Sequence, residues 1–168
     1  MADEHRLRRP SAVRLGLSAQ DRAAAVEQCG RLLVEVGAVD EPYVAAMHER
    51  ERTMSTHIGE GVAIPHGTTG SRVHVHRPAL VVLQYPGGVR WSDGALVRLC
   101  VGIAVGPDDP GDSRGSAHLD LLAALAKVLM DPDRARQLRE APDEAAVERL
   151  LRATEPARTD AGSAEEDM

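Results

Sequence analysis

The chain has 168 residues, a formal net charge of −6 and a hydrophobic content of 43%, which is enough for one domain with a real core. No apolar run approaches the roughly 20 residues that span a bilayer, the N-terminus lacks an apolar signal sequence, and no basic cluster accompanies aromatic residues. These features argue against membrane insertion, secretion and nucleic acid as the main partner, and they indicate a cytoplasmic protein.

The first part of the chain predicts one short strand and two helices. Residues 1–11 are charged and are expected to be flexible, whereas 12–16 read as a strand. The segment 18–21 predicts a helix start as a capping-box variant, and apolar residues then recur at helical spacing until Gly37. Asp40 and Pro42 predict a second helix. Its predicted inner face carries Tyr43, Ala46, Met47 and, at the end, Arg50.

Two long apolar runs, 79–85 and 96–105, predict buried strands, with turns at 86–88 and 92–94 between them. Residues 71–77 alternate valine with histidine and predict a short strand that has His74 and His76 on one face. A loop over 106–116 precedes predicted helices at 117–130, 131–140 and 142–152, and the acidic residues 154–168 predict a disordered tail. The fold class is therefore α/β, a single domain over 12–153 with a small mixed β-sheet flanked by helices on both faces.

The most informative stretch runs from Gly61 to Thr68. Its three apolar residues, 62–64, read as the end of a buried strand, which Pro65 terminates because proline has no N–H. His66 follows, then Gly67, where the backbone can pass close to a ligand, and then the hydroxyl of Thr68. An imidazole held at a strand end among donors fits a covalent phosphate carrier, although these residues alone also fit a solvated loop histidine.

Two other residues are candidates for the same pocket. His118 stands at the first turn of a predicted helix, after a loop that leaves the C-terminal end of a buried strand, where anions are favoured. Arg50 could reach that pocket as a phosphate donor. Each residue also fits an ordinary surface position. His74 and His76 could hold zinc, but no cysteine or carboxylate of matching spacing is near them, so no metal is expected. Cys29 and Cys100 predict buried free thiols.

Several ordered blocks make a family resemblance specific. They are Arg50-Glu51, Ser55-Thr56, Ile58-Gly59-Glu60-Gly61, Ala63-Ile64-Pro65-His66-Gly67-Thr68, Gln84-Tyr85-Pro86 with Gly88-Val89-Arg90-Trp91, and Val101-Gly102-Ile103-Ala104. This pattern resembles the EIIA domain of the mannitol/fructose-type phosphoenolpyruvate-dependent sugar phosphotransferase system, with the mannitol branch closest. The resemblance covers roughly residues 12 to 152, and His118 falls where the family has its second histidine.

The resemblance implies a phosphoryl relay. Neutral His66 would accept a phosphoryl group through Nε2 from the phosphohistidine of HPr and pass it to a cysteine of an EIIB domain. The sugar, mannitol or a related one, would then enter through EIIC. No cofactor and no direct membrane insertion are implied. Two alternatives stay open: an EIIA-like regulator phosphorylated on the same histidine, and a non-enzymatic module that binds an anion or metal.

The same resemblance assigns roles to the neighbouring residues. His118 and Arg50 would stabilise phosphate charge, while Gly67 and Thr68 would supply hydrogen-bond donors. Glu60 would be an orienter or an interface residue, because a carboxylate beside phosphate repels it.

Overall fold

A computed structural model of the chain describes residues 9–106, 123 and 125–152. Within this part, five strands form one mixed sheet in the order β1-β4-β5-β3-β2. The strands are β1 (Ala12–Arg14), β2 (His57–Gly59), β3 (Val62–Ala63), β4 (Ala79–Arg90) and β5 (Leu96–Ala104). The helices are α1 (Arg22–Glu35), α2 (Glu41–Thr53), a 3-10 helix (Thr69–His74), α3 (Pro132–Arg139) and α4 (Glu144–Arg152), and residues 125–129 are also helical.

The sheet is covered on both faces, as the sequence predicted. Side chains of a strand alternate between the faces, so Val81 and Leu83 of β4 pack with α1 and α2, whereas Leu80 and Val82 pack with α3 and α4. Strand β4 pairs in parallel with β1 and antiparallel with β5, and β5 pairs in parallel with β3. The single mixed α/β domain is thus confirmed.

Helix α1 begins three residues later than the capping-box interpretation predicted. Asp21 is its N-cap, and the Asp21 carboxylate accepts the amide of Ala24 at 2.8 Å. A carboxylate at the N-cap satisfies a free amide of the first turn, so the chain enters the helix here and not at Ser18. The helix ends before Gly37, whose φ of 78° is easily adopted by glycine.

Two other local predictions were wrong. The segment 71–77, predicted as a strand, starts with the 3-10 helix, because the amide and hydroxyl of Ser71 both donate to the carbonyl of Thr68 and wind the chain. This winding leaves Val73 74% exposed. The segment 86–88, predicted as a turn, lies inside β4, where the pairing register shifts between Gln84 and Val89. Such a bulge tolerates a proline, which cannot donate to a ladder.

Candidate functional site

His66 follows the end of β3 and lies beside the C-terminal end of β5. Its backbone forms a parallel bridge with Ile103, and the amide of Ile103 donates to the carbonyl of Pro65 at 3.0 Å. The central strand β5 therefore fixes the backbone of His66. This placement agrees with the sequence prediction of a histidine held rigidly at a strand end.

The imidazole of His66 has a defined tautomer. Its Nδ1 lies 2.7 Å from the carbonyl oxygen of Ile64. A carbonyl oxygen only accepts hydrogen bonds, so Nδ1 carries the proton and Nε2 keeps an unprotonated lone pair. Nε2 is thus the nitrogen that can act as a nucleophile.

The surroundings of His66 favour the neutral ring. Burial is the largest effect and lowers the pKa of His66 below its ordinary value, and the positive charges of Arg50 and Arg72 lower it further. The hydrogen bond to Ile64 and the negative charge of Glu51 raise this pKa, but they do not reverse the balance. At neutral pH the ring is therefore a neutral base.

A cavity of about 360 Å³ opens beside His66. Its lining contains two guanidinium groups and three threonines. Among the described residues, no acidic side chain lines it. The lining residues are Tyr43, Arg50, Thr53, His66, Gly67, Thr68, Thr69, Arg72 and Val105. Positive charge together with hydroxyl donors suits an anion with several oxygens, such as a phosphoryl group.

Four predicted site residues share this cavity: His66, Arg50, Gly67 and Thr68. Arg50 comes from the last turn of α2, where its Nη1 donates to the carbonyl of Met54 at 2.6 Å. This bond holds the guanidinium at the end of the helix. The sequence prediction that Arg50 reaches the pocket of His66 agrees with this placement.

The amide of Gly67 is engaged within the protein, so it is not the free phosphate donor that the sequence predicted. It donates to the hydroxyl oxygen of Tyr43 at 2.9 Å, and the same hydroxyl donates to the carbonyl of Ile103 at 2.8 Å. Burial raises the pKa of Tyr43 to about 12, so the hydroxyl keeps the proton that it donates. A β-carbon at position 67 would lie 2.4 Å from Ser71 Oγ, which explains why glycine is needed there.

Glu60 is not brought to the cavity beside His66. Glu60 is an exposed residue in the tight turn between β2 and β3, with a φ of 56°, and its carbonyl accepts a bond from Arg139. It does not line the cavity. His118 lies outside the described residues, so its predicted role stays a prediction.

Sequence reasoning missed two residues of this cavity and one residue behind it. Tyr43 was assigned only to the inner face of α2, Arg72 was placed in a predicted strand, and no burial was predicted for Glu51. Glu51 is in fact only 4% exposed. The pairing of Arg50 with Glu51 in the family-like motif was the one signal that could have indicated it.

The absence of a metal stays a prediction. Among the residues that the structure describes, 9–106, 123 and 125–152, no group of three or more His, Cys, Asp or Glu side chains is arranged to hold an ion. His76 Nε2 lies 2.7 Å from an oxygen of Asp40. Within 9–106, 123 and 125–152, no helix combines the length and apolar character needed to cross a lipid bilayer.

Comparison with known proteins gives consistent matches over most of the chain. A family model described as "Phosphoenolpyruvate-dependent sugar phosphotransferase system, EIIA 2" matches residues 6–154. A "Mannitol-specific phosphotransferase enzyme IIA component" of Staphylococcus aureus is 40% identical over 112 residues, which cover 67% of this chain and 72% of the relative.

A longer relative and a solved complex match as well. A "Multiphosphoryl transfer protein" of Escherichia coli O157:H7 is 40% identical over 81% of this chain, and the match spans only 34% of that relative's length. The solved complex of enzyme IIAMTL and phosphorylated enzyme IIBMTL from Escherichia coli superimposes with a TM-score of 0.74 at 30% identity. This match covers 85% of this chain and 95% of that one.

Proposed function

The chain belongs to the EIIA 2 family of the phosphoenolpyruvate-dependent sugar phosphotransferase system, and we propose that it carries a phosphoryl group on Nε2 of His66. It is a phosphotransferase component, with phosphohistidine of HPr as the proposed donor and a cysteine of EIIB as the proposed acceptor. The observation that carries this proposal is the geometry of His66. Its Nδ1 is bonded to the Ile64 carbonyl, and its ring adjoins a cavity that Arg50 and Arg72 line.

In the first step, the lone pair of Nε2 attacks the phosphorus of the donor. The new Nε2–P bond forms while the N–P bond of the donor breaks, and the donor imidazole leaves with that electron pair. The His66 ring gains positive charge during the attack, so the bond from Nδ1–H to Ile64 O strengthens as the reaction proceeds. This carbonyl therefore stabilises the transition state more than the ground state.

In the second step, a thiolate of EIIB attacks the same phosphorus and the Nε2–P bond breaks. Nε2 recovers its lone pair, and the ring returns to the neutral Nδ1–H tautomer. Positive ring charge makes His66 a good leaving group at this point. Charge on the phosphoryl oxygens is neutralised by Arg50 and Arg72, since positioning and electrostatics supply most of the catalysis in such transfers. Thr68 is proposed to donate its hydroxyl.

The partners further along the relay follow from the family and from relatives' names. Transfer to EIIB agrees with the solved complex of a relative that contains phosphorylated enzyme IIB. Mannitol is the proposed sugar because a relative is named a mannitol-specific IIA component, and EIIC is the proposed permease. Phosphoenolpyruvate is a cytoplasmic metabolite, so the proposal places the reaction in the cytoplasm.

Incubation with radiolabelled phosphoenolpyruvate, enzyme I and HPr tests this function. We expect acid-labile label in the wild type and in His76→Ala, a control at an exposed histidine, and none in His66→Ala. Slow but detectable labelling of His118→Ala would support the predicted role of His118. Failure of the wild type to take label from competent HPr would refute the proposal, whereas label that never leaves for any EIIB would favour a regulatory protein.

A further inference from the structure

Glu51 is a buried carboxylate that lies behind the site and does not line its cavity. One carboxylate oxygen accepts the amide of Thr56 at 2.9 Å and the indole Nε1–H of Trp91 at 3.1 Å. The other accepts the hydroxyl of Thr56. Burial of a carboxylate is costly unless its lone pairs are satisfied, and these three bonds all come from neutral donors. A neutral side chain of similar size would avoid that cost, so the charge needs a reason.

Hydrogen bonds connect Glu51 to the reactive ring in three steps. Glu51 holds the amide of Thr56, and the carbonyl of Thr56 accepts the amide of Ile64 at 3.0 Å. The carbonyl of Ile64 in turn bonds His66 Nδ1 at 2.7 Å. The amide and the carbonyl of Ile64 belong to two successive planar peptide units that meet at its Cα, so with the amide held only φ and ψ of Ile64 set the direction of the carbonyl.

We propose that Glu51 is a positioning residue for His66, which holds the Nδ1–H tautomer through Thr56 and Ile64 and so keeps Nε2 free to react. This inference rests on the proposed phosphoryl transfer. Glu51 acts through other residues and does not touch the phosphoryl group.

The negative charge of Glu51 favours the reaction at His66, as its hydrogen bonds do. Its negative charge raises the pKa of His66, so it favours positive charge on the ring. Attack on phosphorus develops such charge, and a fixed negative group in a buried position stabilises it without reorganisation. The cost of burying the carboxylate is thereby linked to the reaction.

Three variants separate these effects. Glu51→Met keeps a long side chain but removes all three bonds. Glu51→Gln keeps an oxygen that can accept from Thr56 and Trp91, and its amide can donate to the Thr56 hydroxyl, but it removes the charge. Glu49→Gln is the matched control, because Glu49 is an exposed residue of the same helix and undergoes the same change of charge.

The primary measurement is nitrogen NMR of the His66 ring in unphosphorylated protein, which identifies the protonated nitrogen. We expect only the Nδ1–H tautomer in the wild type and Glu49→Gln, a protonated Nε2 population in Glu51→Met, and an intermediate result in Glu51→Gln. Single-turnover transfer from phospho-HPr should slow in the same order, by up to about 100-fold in Glu51→Met. The KM for phospho-HPr should not change, because Glu51 is buried.

Two results would overturn the inference. One is a folded Glu51→Met that retains the pure Nδ1–H tautomer, whatever its rate. The other result concerns Glu51→Gln and decides the question if Glu51→Met does not fold. It is a wild-type tautomer together with a wild-type turnover in Glu51→Gln. Since the tautomer is read without phosphate, the positioning role is decided even if the wild type accepts no phosphoryl group, a result that refutes the proposed function instead.

Discussion

Replacement of Tyr43 by phenylalanine tests whether a single hydroxyl ties the His66 loop to the sheet. The change removes the bond that this hydroxyl accepts from Gly67 and the bond that it donates to Ile103. Each intramolecular bond contributes about 1 kcal/mol net, so we expect the free energy of unfolding to fall by about 2 kcal/mol. For a domain of this size the thermal midpoint should fall by about 4–8 °C.

Tyr85→Phe is the matched control for Tyr43→Phe. Both tyrosines are buried, at 3% and 0% exposure, so the contribution of the ring itself cancels. The Tyr85 hydroxyl donates a hydrogen bond to the side chain of Gln28, which is partly exposed and can bond to water instead. We therefore expect a loss of about 1 kcal/mol or less.

Urea unfolding of the wild type and both variants, analysed by linear extrapolation, measures these losses. We expect Tyr43→Phe to lose more stability than Tyr85→Phe at an unchanged denaturant slope. Equal losses in the two variants, or an unaltered stability of Tyr43→Phe, would show that the hydroxyl does not tie the loop to β5.

Three further predictions concern the cavity. Gly67→Ala should destabilise the fold by about 1–3 kcal/mol, because the new β-carbon would lie 2.4 Å from Ser71 Oγ. Gly70→Ala is the control, because a β-carbon at position 70 would have no atom within 4 Å. Equal unfolding curves for the two variants would contradict this prediction. The lowered pKa of His66 keeps the folded ring neutral as pH falls through about 6.5. The stability linked to it is therefore complete above that pH, falls below it as the unfolded state takes up the proton, and is fully lost once pH has fallen through the lower folded pKa. An NMR titration of the folded ring at or above 6.5 would refute this. Arg50→Gln should slow phosphoryl acceptance in single-turnover assays by about 100- to 1000-fold, with partial recovery in Arg50→Lys, and a wild-type rate would exclude its role.

Much of the architecture was predictable from local pattern. The uninterrupted apolar runs of β4 and β5 indicated strands buried on both faces, and the spacing in α1 and α4 indicated helices with one inner face. The pattern failed where a side chain redirected the backbone. Ser71 bonds to Thr68 and winds a segment whose alternating valines and histidines are otherwise typical of a strand.

The site was predictable where its residues lie in one motif. His66, Gly67 and Thr68 are contiguous, and Arg50 belongs to a neighbouring block of the same resemblance. Tyr43 was not predictable as a site residue, because its hydroxyl bonds a carbonyl 60 residues away. Contacts at such separation depend on the packing of α2 against the sheet, which no local pattern specifies.

The buried state of Glu51 was missed for a similar reason. A charged residue near a helix end is usually solvated, and its sequence neighbours Arg50 and Arg52 support that interpretation. Its burial depends on Trp91, which lies 40 positions further on and reaches the carboxylate only in the folded sheet. The hydrogen-bonded set around the carboxylate therefore became visible only in three dimensions.

The central claim is that the phosphoryl group is carried on Nε2 of His66. NMR of protein with isotope-labelled histidine, phosphorylated by phosphoenolpyruvate, enzyme I and HPr, tests it most directly through nitrogen–phosphorus coupling. We expect coupling to Nε2 of His66 alone, with the proton retained on Nδ1. Phosphorus bonded to Nδ1 of His66, or to another histidine, would contradict it.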